Sequence, residues 1–115
     1  MKTEYFDLKN KRALVSGGAS GIGSSIVEHL CEQGVEVYFF DIDKKEAKKT
    51  INKIKKKKFK IPNFVECDIK NIKKYKSLIL SIINKGGPID ILINNVSNDQ
   101  RHSLENITEK YWDER

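Results

Sequence analysis

The run Ser16-Gly17-Gly18-Ala19-Ser20-Gly21-Ile22-Gly23 places four of the seven glycines of this 115-residue chain between a short apolar stretch, Ala13-Leu14-Val15, and the helically spaced Ile22, Ile26, Val27 and Leu30. Residues of these types, at a strand-to-helix turn, can hold an anion. Free backbone N–H groups and the positive end of the helix dipole face it, and no lysine is required. Gly17 lets the chain leave the strand sharply, Gly21 lets the backbone come close to a pyrophosphate, and Gly23 lets helix and strand pack with no side chain between them. A loop that cradles a triphosphate would carry Lys-Ser or Lys-Thr directly after Gly23, whereas Ser24-Ser25 stand there, and the nucleoside triphosphatase reading fails.

Eighteen residues beyond Gly23, the apolar run Val35–Phe40 delivers Asp41, close to the spacing expected of an acid that holds adenosine ribose hydroxyls. Gly17, Ser20, Gly21, Ile22, Gly23 and Asp41 are therefore candidate contacts of a dinucleotide. A carboxylate at Asp41 accepts from the ribose 2′-OH and repels a 2′-phosphate, and neither Ser20 nor Ser24 offers a compensating cation, so NAD is expected rather than NADP. Asp41 could instead begin a helix cap with Asp43, although Asp43 with Glu46 makes the better capping box.

The elements that must position these residues follow from periodicity. Strands near 12–16, 35–40, 63–67 and 89–94 alternate with helices near 22–33, 43–58 and 71–84. This βαβ repetition predicts an α/β fold, the amino-terminal part of a Rossmann-type doubly wound parallel sheet with four strands in the order 3-2-1-4. Gly34 ends the first helix, Gly86-Gly87-Pro88 breaks the third, and Ile72, Tyr75, Leu78, Ile79, Ile82 and Ile83 mark the third helix's buried face. The fourth strand lies on an open, almost wholly apolar edge, which predicts marginal stability and self-association for the isolated chain.

With the glycine run, Asp41, Cys67-Asp68-Ile69 and Asn94-Asn95-Val96-Ser97 in this order, the chain resembles the short-chain dehydrogenase/reductase family. Ser16 stands where that family's Thr-Gly-x-x-x-Gly-x-Gly fingerprint has threonine, which keeps the hydroxyl, and Val96-Ser97 replaces its Ala-Gly. The resemblance implies that Asp68 contacts adenine and that Ile69, Asn94 and Asn95 belong to the cofactor site. It implies hydride transfer between nicotinamide and an alcohol or carbonyl, and a homo-oligomeric full-length protein. Asn98 to His102 and Tyr111 to Arg115 look similar to a bacterial sugar-dehydrogenase branch, the D-xylose 1-dehydrogenases, which would put Arg101 and His102 near the pocket and an aldose at C1 in it. As solvated loop residues, Arg101 and His102 would instead cap the next helix.

Catalysis in such a family needs a Ser, a Tyr-x-x-x-Lys pair and a helix Asn, all expected beyond Arg115. The one Tyr-x-x-x-Lys present, Tyr5 to Lys9, precedes the first strand and sits at the wrong end of the topology. No catalytic residue is therefore assigned in this chain. Thr108 caps a helix that gains little more than a turn before Arg115, so residues 1–115 are expected to be a truncated dinucleotide-binding segment. A noncatalytic dinucleotide-binding module is the alternative.

The formal net charge of +6 comes from one helix: Lys44 to Lys60 holds ten lysines against one glutamate, and the rest of the chain is slightly acidic. Ala47, Ile51 and Ile54 supply that helix with an apolar stripe, so its lysines can point to solvent without a ligand. A nucleic-acid binder acting through this helix is a distant third reading, nonspecific and salt-sensitive, because arginine forks and interleaved aromatic platforms are absent. Cys31 and Cys67 form no metal pattern and are expected as buried thiols in a cytoplasmic protein with no membrane partner. No metal site is expected.

Overall fold

The computed structural model describes residues 8–19 and 21–95. Within them β1 (Arg12–Ser16), α1 (Gly21–Glu32), β2 (Glu36–Asp41), α2 (Lys44–Lys56), β3 (Asn63–Glu66), α3 (Ile72–Gly86) and β4 (Ile91–Asn94) alternate along the chain. The strands form one parallel sheet in the order β3-β2-β1-β4, as the pattern predicts.

Alternation along the central strands sorts side chains to two faces. Ala13 and Val15 of β1 with Val37 and Phe39 of β2 join Val27 and Cys31 of α1 and Ala47 and Ile54 of α2 in one cluster. Leu14 and Phe40 face the other way and pack with Tyr75, Ile79, Ile82 and Ile83 of α3. The Phe40 and Tyr75 rings meet edge to face, 4.9 Å between centroids. On α3, four of the six residues expected to mark its buried face are buried, while Ile72 and Leu78 are half-buried. Both helix crossovers that flank β2 lie on one face and the crossover into β4 on the other, so the sheet changes winding direction between β1 and β4.

Helix ends have local causes. Gly34, at φ +83°, closes α1: its N–H donates to the Cys31 carbonyl and the Val35 N–H donates to the Leu30 carbonyl. Asp43 caps α2 by accepting the Glu46 N–H at 3.0 Å, and Asn71 caps α3 by accepting the Lys74 N–H at 3.2 Å. The strand β4 starts two residues later than its apolar run suggests. There the Asp90 carboxylate takes the Arg12 N–H at 2.9 Å, and Ile89 is buried against α3.

No helix among the described residues is long and apolar enough to cross a membrane. Cys31 and Cys67 are free and buried, and burial pushes the Cys31 thiol up to about 12. Among the described residues no group of His, Cys, Asp and Glu could hold a metal ion.

Candidate dinucleotide site

Register sets the site. Ser16 of β1 stands opposite Phe40 and Asn94, and Asp41 stands opposite Glu66, so the carboxyl ends of all four strands finish at one level. The turn from β1 into α1, Asp41, the segment after β3 and the Asn94-Asn95 pair share that edge. It includes the β1/β4 junction where the winding changes, the crevice in which open α/β sheets take ligands.

At the centre, Gly17 leaves β1 at φ +71°, and its N–H still donates to the Phe40 carbonyl at 2.7 Å. Gly23, in the first turn of α1, is fixed by a close approach. A Cβ there would lie 1.9 Å from the Gly17 carbonyl oxygen and 2.7 Å from the Asn95 amide nitrogen. Gly21, the first residue of α1, has nothing within 4 Å of where a Cβ would be. Its open surface at a helix N-terminus leaves the backbone approachable by an anion.

The asparagine pair braces this loop from β4. Asn95 Nδ2 donates to the Gly17 carbonyl at 3.0 Å and its N–H to the Ser16 carbonyl at 3.2 Å. Ser16 Oγ donates to Asn94 Oδ1 at 2.9 Å. The hydroxyl at position 16 thus ties β1 to β4 at the level of the loop.

Asp41 reaches the loop from the other side. Its Oδ2 accepts the Ala19 N–H at 3.1 Å and its Oδ1 accepts the Asp43 N–H at 3.0 Å. The cap of α2 is Asp43, so Asp41 divides its carboxylate, one oxygen on the N–H of that cap residue and the other on the glycine loop. A carboxylate offers roughly four lone-pair sites, and two remain for further donors. Two of the most exposed large apolar side chains, Ile22 (74% exposed) and Ile42 (65%), directly follow Gly21 and Asp41 in sequence, which sets apolar surface beside the polar groups.

Asp68 lies beyond β3, exposed, with Oδ1 accepting the Lys70 N–H at 2.9 Å, and the Cys67 N–H donates to the Asp41 carbonyl. The Ile69 side chain is buried in the cluster under α3, so only its backbone is free to meet a ligand. Ser20, Arg101 and His102 lie outside the described residues, as do Tyr5, Val96, Ser97 and Thr108.

Three contributors escape a reading of the sequence. Gly18 is held by space: a Cβ there would meet Phe39 Cβ at 2.6 Å and Val27 Cγ2 at 3.0 Å. Thr50 of α2 donates its hydroxyl to the Ala19 carbonyl at 2.7 Å, and Ser24 of α1 lies 3.1 Å from the same hydroxyl. The available signal was a hydroxyl inside an apolar stripe, since Thr50 falls between Ala47 and Ile54 on the buried face of α2.

Comparison with known proteins agrees with the fold. The family model described as short chain dehydrogenase matches residues 11–115. D-xylose 1-dehydrogenase of Caulobacter vibrioides is 36% identical over 111 residues, which cover 96% of this chain and 43% of that protein. A tropinone reductase homolog of Datura stramonium is 34% identical over 104 residues, covering 90% of this chain and 38% of that one. The crystal structure of a hydroxysteroid dehydrogenase from Escherichia coli superposes with a TM-score of 0.69 at 28% identity, covering 79% of this chain and 38% of that one. The chain spans less than half the length of these relatives.

Proposed function

The chain belongs to the short chain dehydrogenase family, and from that premise we propose that it is the cofactor-binding part of an NAD-dependent oxidoreductase acting on an alcohol or carbonyl. The observation that carries the reading is the meeting of Asp41 with the glycine loop at the Ala19 N–H. In this reading the pyrophosphate lies against the backbone at Gly21–Gly23, where the dipole of α1 and unpaired N–H groups favour negative charge. The two remaining lone-pair sites on Asp41 match the two hydroxyls of an adenosine ribose. Ile42 and Asp68 border adenine, while Asn94 and Asn95 hold the loop and the β1/β4 crevice together. When bound, the nicotinamide supplies the hydride acceptor or donor.

What this chain's residues do is bind, orient and hold charge. The proton of an alcohol also has to move, and the sole Tyr-x-x-x-Lys of this sequence, Tyr5 to Lys9, precedes β1 in the sequence. That observation favours a second reading, a noncatalytic dinucleotide-binding module, for the chain taken alone. For the oxidoreductase, the similarity to a D-xylose 1-dehydrogenase supports an aldose oxidised at C1, with Arg101 and His102 on the substrate side. Relatives with names as different as tropinone reductase homolog and hydroxysteroid dehydrogenase make the sugar the narrower part of the proposal.

Calorimetric titration with NAD and NADP tests the cofactor choice. The wild-type chain is expected to bind NAD more tightly. Asp41→Ala should weaken NAD by about tenfold, the scale of a lost charge-assisted hydrogen bond, and narrow or reverse the preference. Equal effects on both cofactors would remove Asp41 from ribose recognition.

A further inference from the structure

Thr50 occupies a position where an apolar residue would be the ordinary choice. It lies in the stripe between Ala47 and Ile54, only 5% exposed, and a hydroxyl buried there costs stability unless it is hydrogen-bonded. Both of its capacities are used. A threonine hydroxyl has one proton, and the Ala19 carbonyl, 2.7 Å away, can only accept it. In the 3.1 Å contact between Ser24 Oγ and Thr50 Oγ1, Ser24 must then be the donor. The order of donation is fixed: Ser24 to Thr50, and Thr50 to the Ala19 carbonyl, a chain in which each bond polarises the next.

Ala19, itself buried, is consequently gripped on both sides of its Cα. Its N–H is held by Asp41 from the end of β2, and its carbonyl by Thr50 from α2, while α1 contributes Ser24. Three elements converge on one residue of the glycine loop, two positions before Gly21. The geometry points to Thr50 as a positioning residue for the dinucleotide: its hydroxyl, supported by Ser24, fixes the Ala19 peptide and so presets the loop before the cofactor arrives. This role rests on the dinucleotide reading above. It explains why a polar group interrupts the apolar stripe of α2: binding energy is not spent on ordering the loop. Removing the hydroxyl leaves a buried carbonyl to find another partner, which turns the loop away from the conformation the ligand needs.

The test uses the whole 115-residue chain as wild type, Thr50→Val, Thr50→Ser and Ser24→Ala, titrated calorimetrically with NAD and with ADP-ribose below the unfolding midpoint of each protein. Thr50→Val, which keeps the shape and removes the hydroxyl, should weaken both ligands by about tenfold, while Thr50→Ser, which keeps it, should stay within about twofold of wild type. Ser24→Ala, which leaves the Thr50 to Ala19 bond but removes its support, should weaken both by about threefold. Wild-type affinity in Thr50→Val overturns the proposal, and so does a Thr50→Ser protein as weak as Thr50→Val, since packing of the methyl would then be the cause. If Thr50→Val does not fold, Ser24→Ala decides, and unchanged affinity there overturns the role. A wild-type chain that binds neither ligand overturns the dinucleotide reading and this role with it, a result separable from wild-type binding that the variants leave untouched.

Discussion

Arg12 draws more polar contacts than any other described side chain, and it sits at the opposite end of the strands from the glycine loop. Its Nε donates to Glu36 at 3.0 Å, one terminal nitrogen donates to the Gly87 carbonyl, and the other to the Ile82 carbonyl at 3.1 Å. A cation at the last carbonyls of α3 is favoured by the helix dipole, and the guanidinium also stacks 5.3 Å over the Tyr38 ring. The hydrogen bond from Arg12 holds the Glu36 carboxyl below its ordinary value, against the opposing effect of burial. A carboxylate depressed in the folded state stabilises above its unfolded pKa, and that contribution disappears as pH falls through the folded value. Thermal midpoints of wild type and Glu36→Gln should therefore differ most above the ordinary glutamate value of about 4.3 and converge as pH falls below it through the depressed folded value. The gap should be modest, because the Glu36 side chain is 35% exposed and water screens the pair. A gap that widened on acidification would contradict the assignment. None of this was legible from the sequence, which marks Arg12 only as the start of a strand. Its partners lie far along the chain, from Glu36 to Asp90, and only the fold brings them together.

At the scale of elements, the sequence was far more informative. Among the described residues, short apolar runs bounded by turn signals located the strands, and period-3.6 apolar patterns the helices, to within about two residues, because the central strands are buried on both faces while each helix buries one stripe. The boundary shifts have causes in single polar groups: Val35 is used to finish α1, so β2 starts at Glu36, and Asp41 gains a partner across from Glu66, so β2 runs one residue longer. In the site, Gly23 was legible through its motif, and the structure supplies the reason, a carbonyl where a Cβ would be. Gly18 and Thr50 were not legible in the same way, since their constraints come from Phe39, Val27 and Ala19 across the packed layers. Gly23→Ala must displace Gly17 or Asn95, and so is expected to open the junction of β1, α1 and β4. A loss of at least about 2 kcal/mol in chemical denaturation should accompany abolished dinucleotide binding. A variant with wild-type stability and affinity would mean that the close approach does not constrain the loop.

Over the whole molecule, charge and chemistry are segregated. Lysines crowd the exposed side of α2, and Glu28 of α1 takes two of them, Lys53 at 3.3 Å and Lys57 at 2.6 Å, across the helix pair. Lys53, and Lys57 just past the end of α2, stay largely exposed at the seam with α1, whereas the buried Thr50 and Ala47 support the loop and the core. The glycine loop, Asp41, Asp68 and the Asn94-Asn95 pair instead share the carboxyl edge of the sheet, the proposed seat of the dinucleotide. A titration of the chain with NAD, followed through backbone amide chemical shifts, separates these two surfaces directly. Binding as described here perturbs the amides of residues 17–23, 41–43, 67–69 and 94–95, and leaves those of 52–58 unchanged. Shifts confined to the lysine face of α2, or none at saturating NAD, would contradict it.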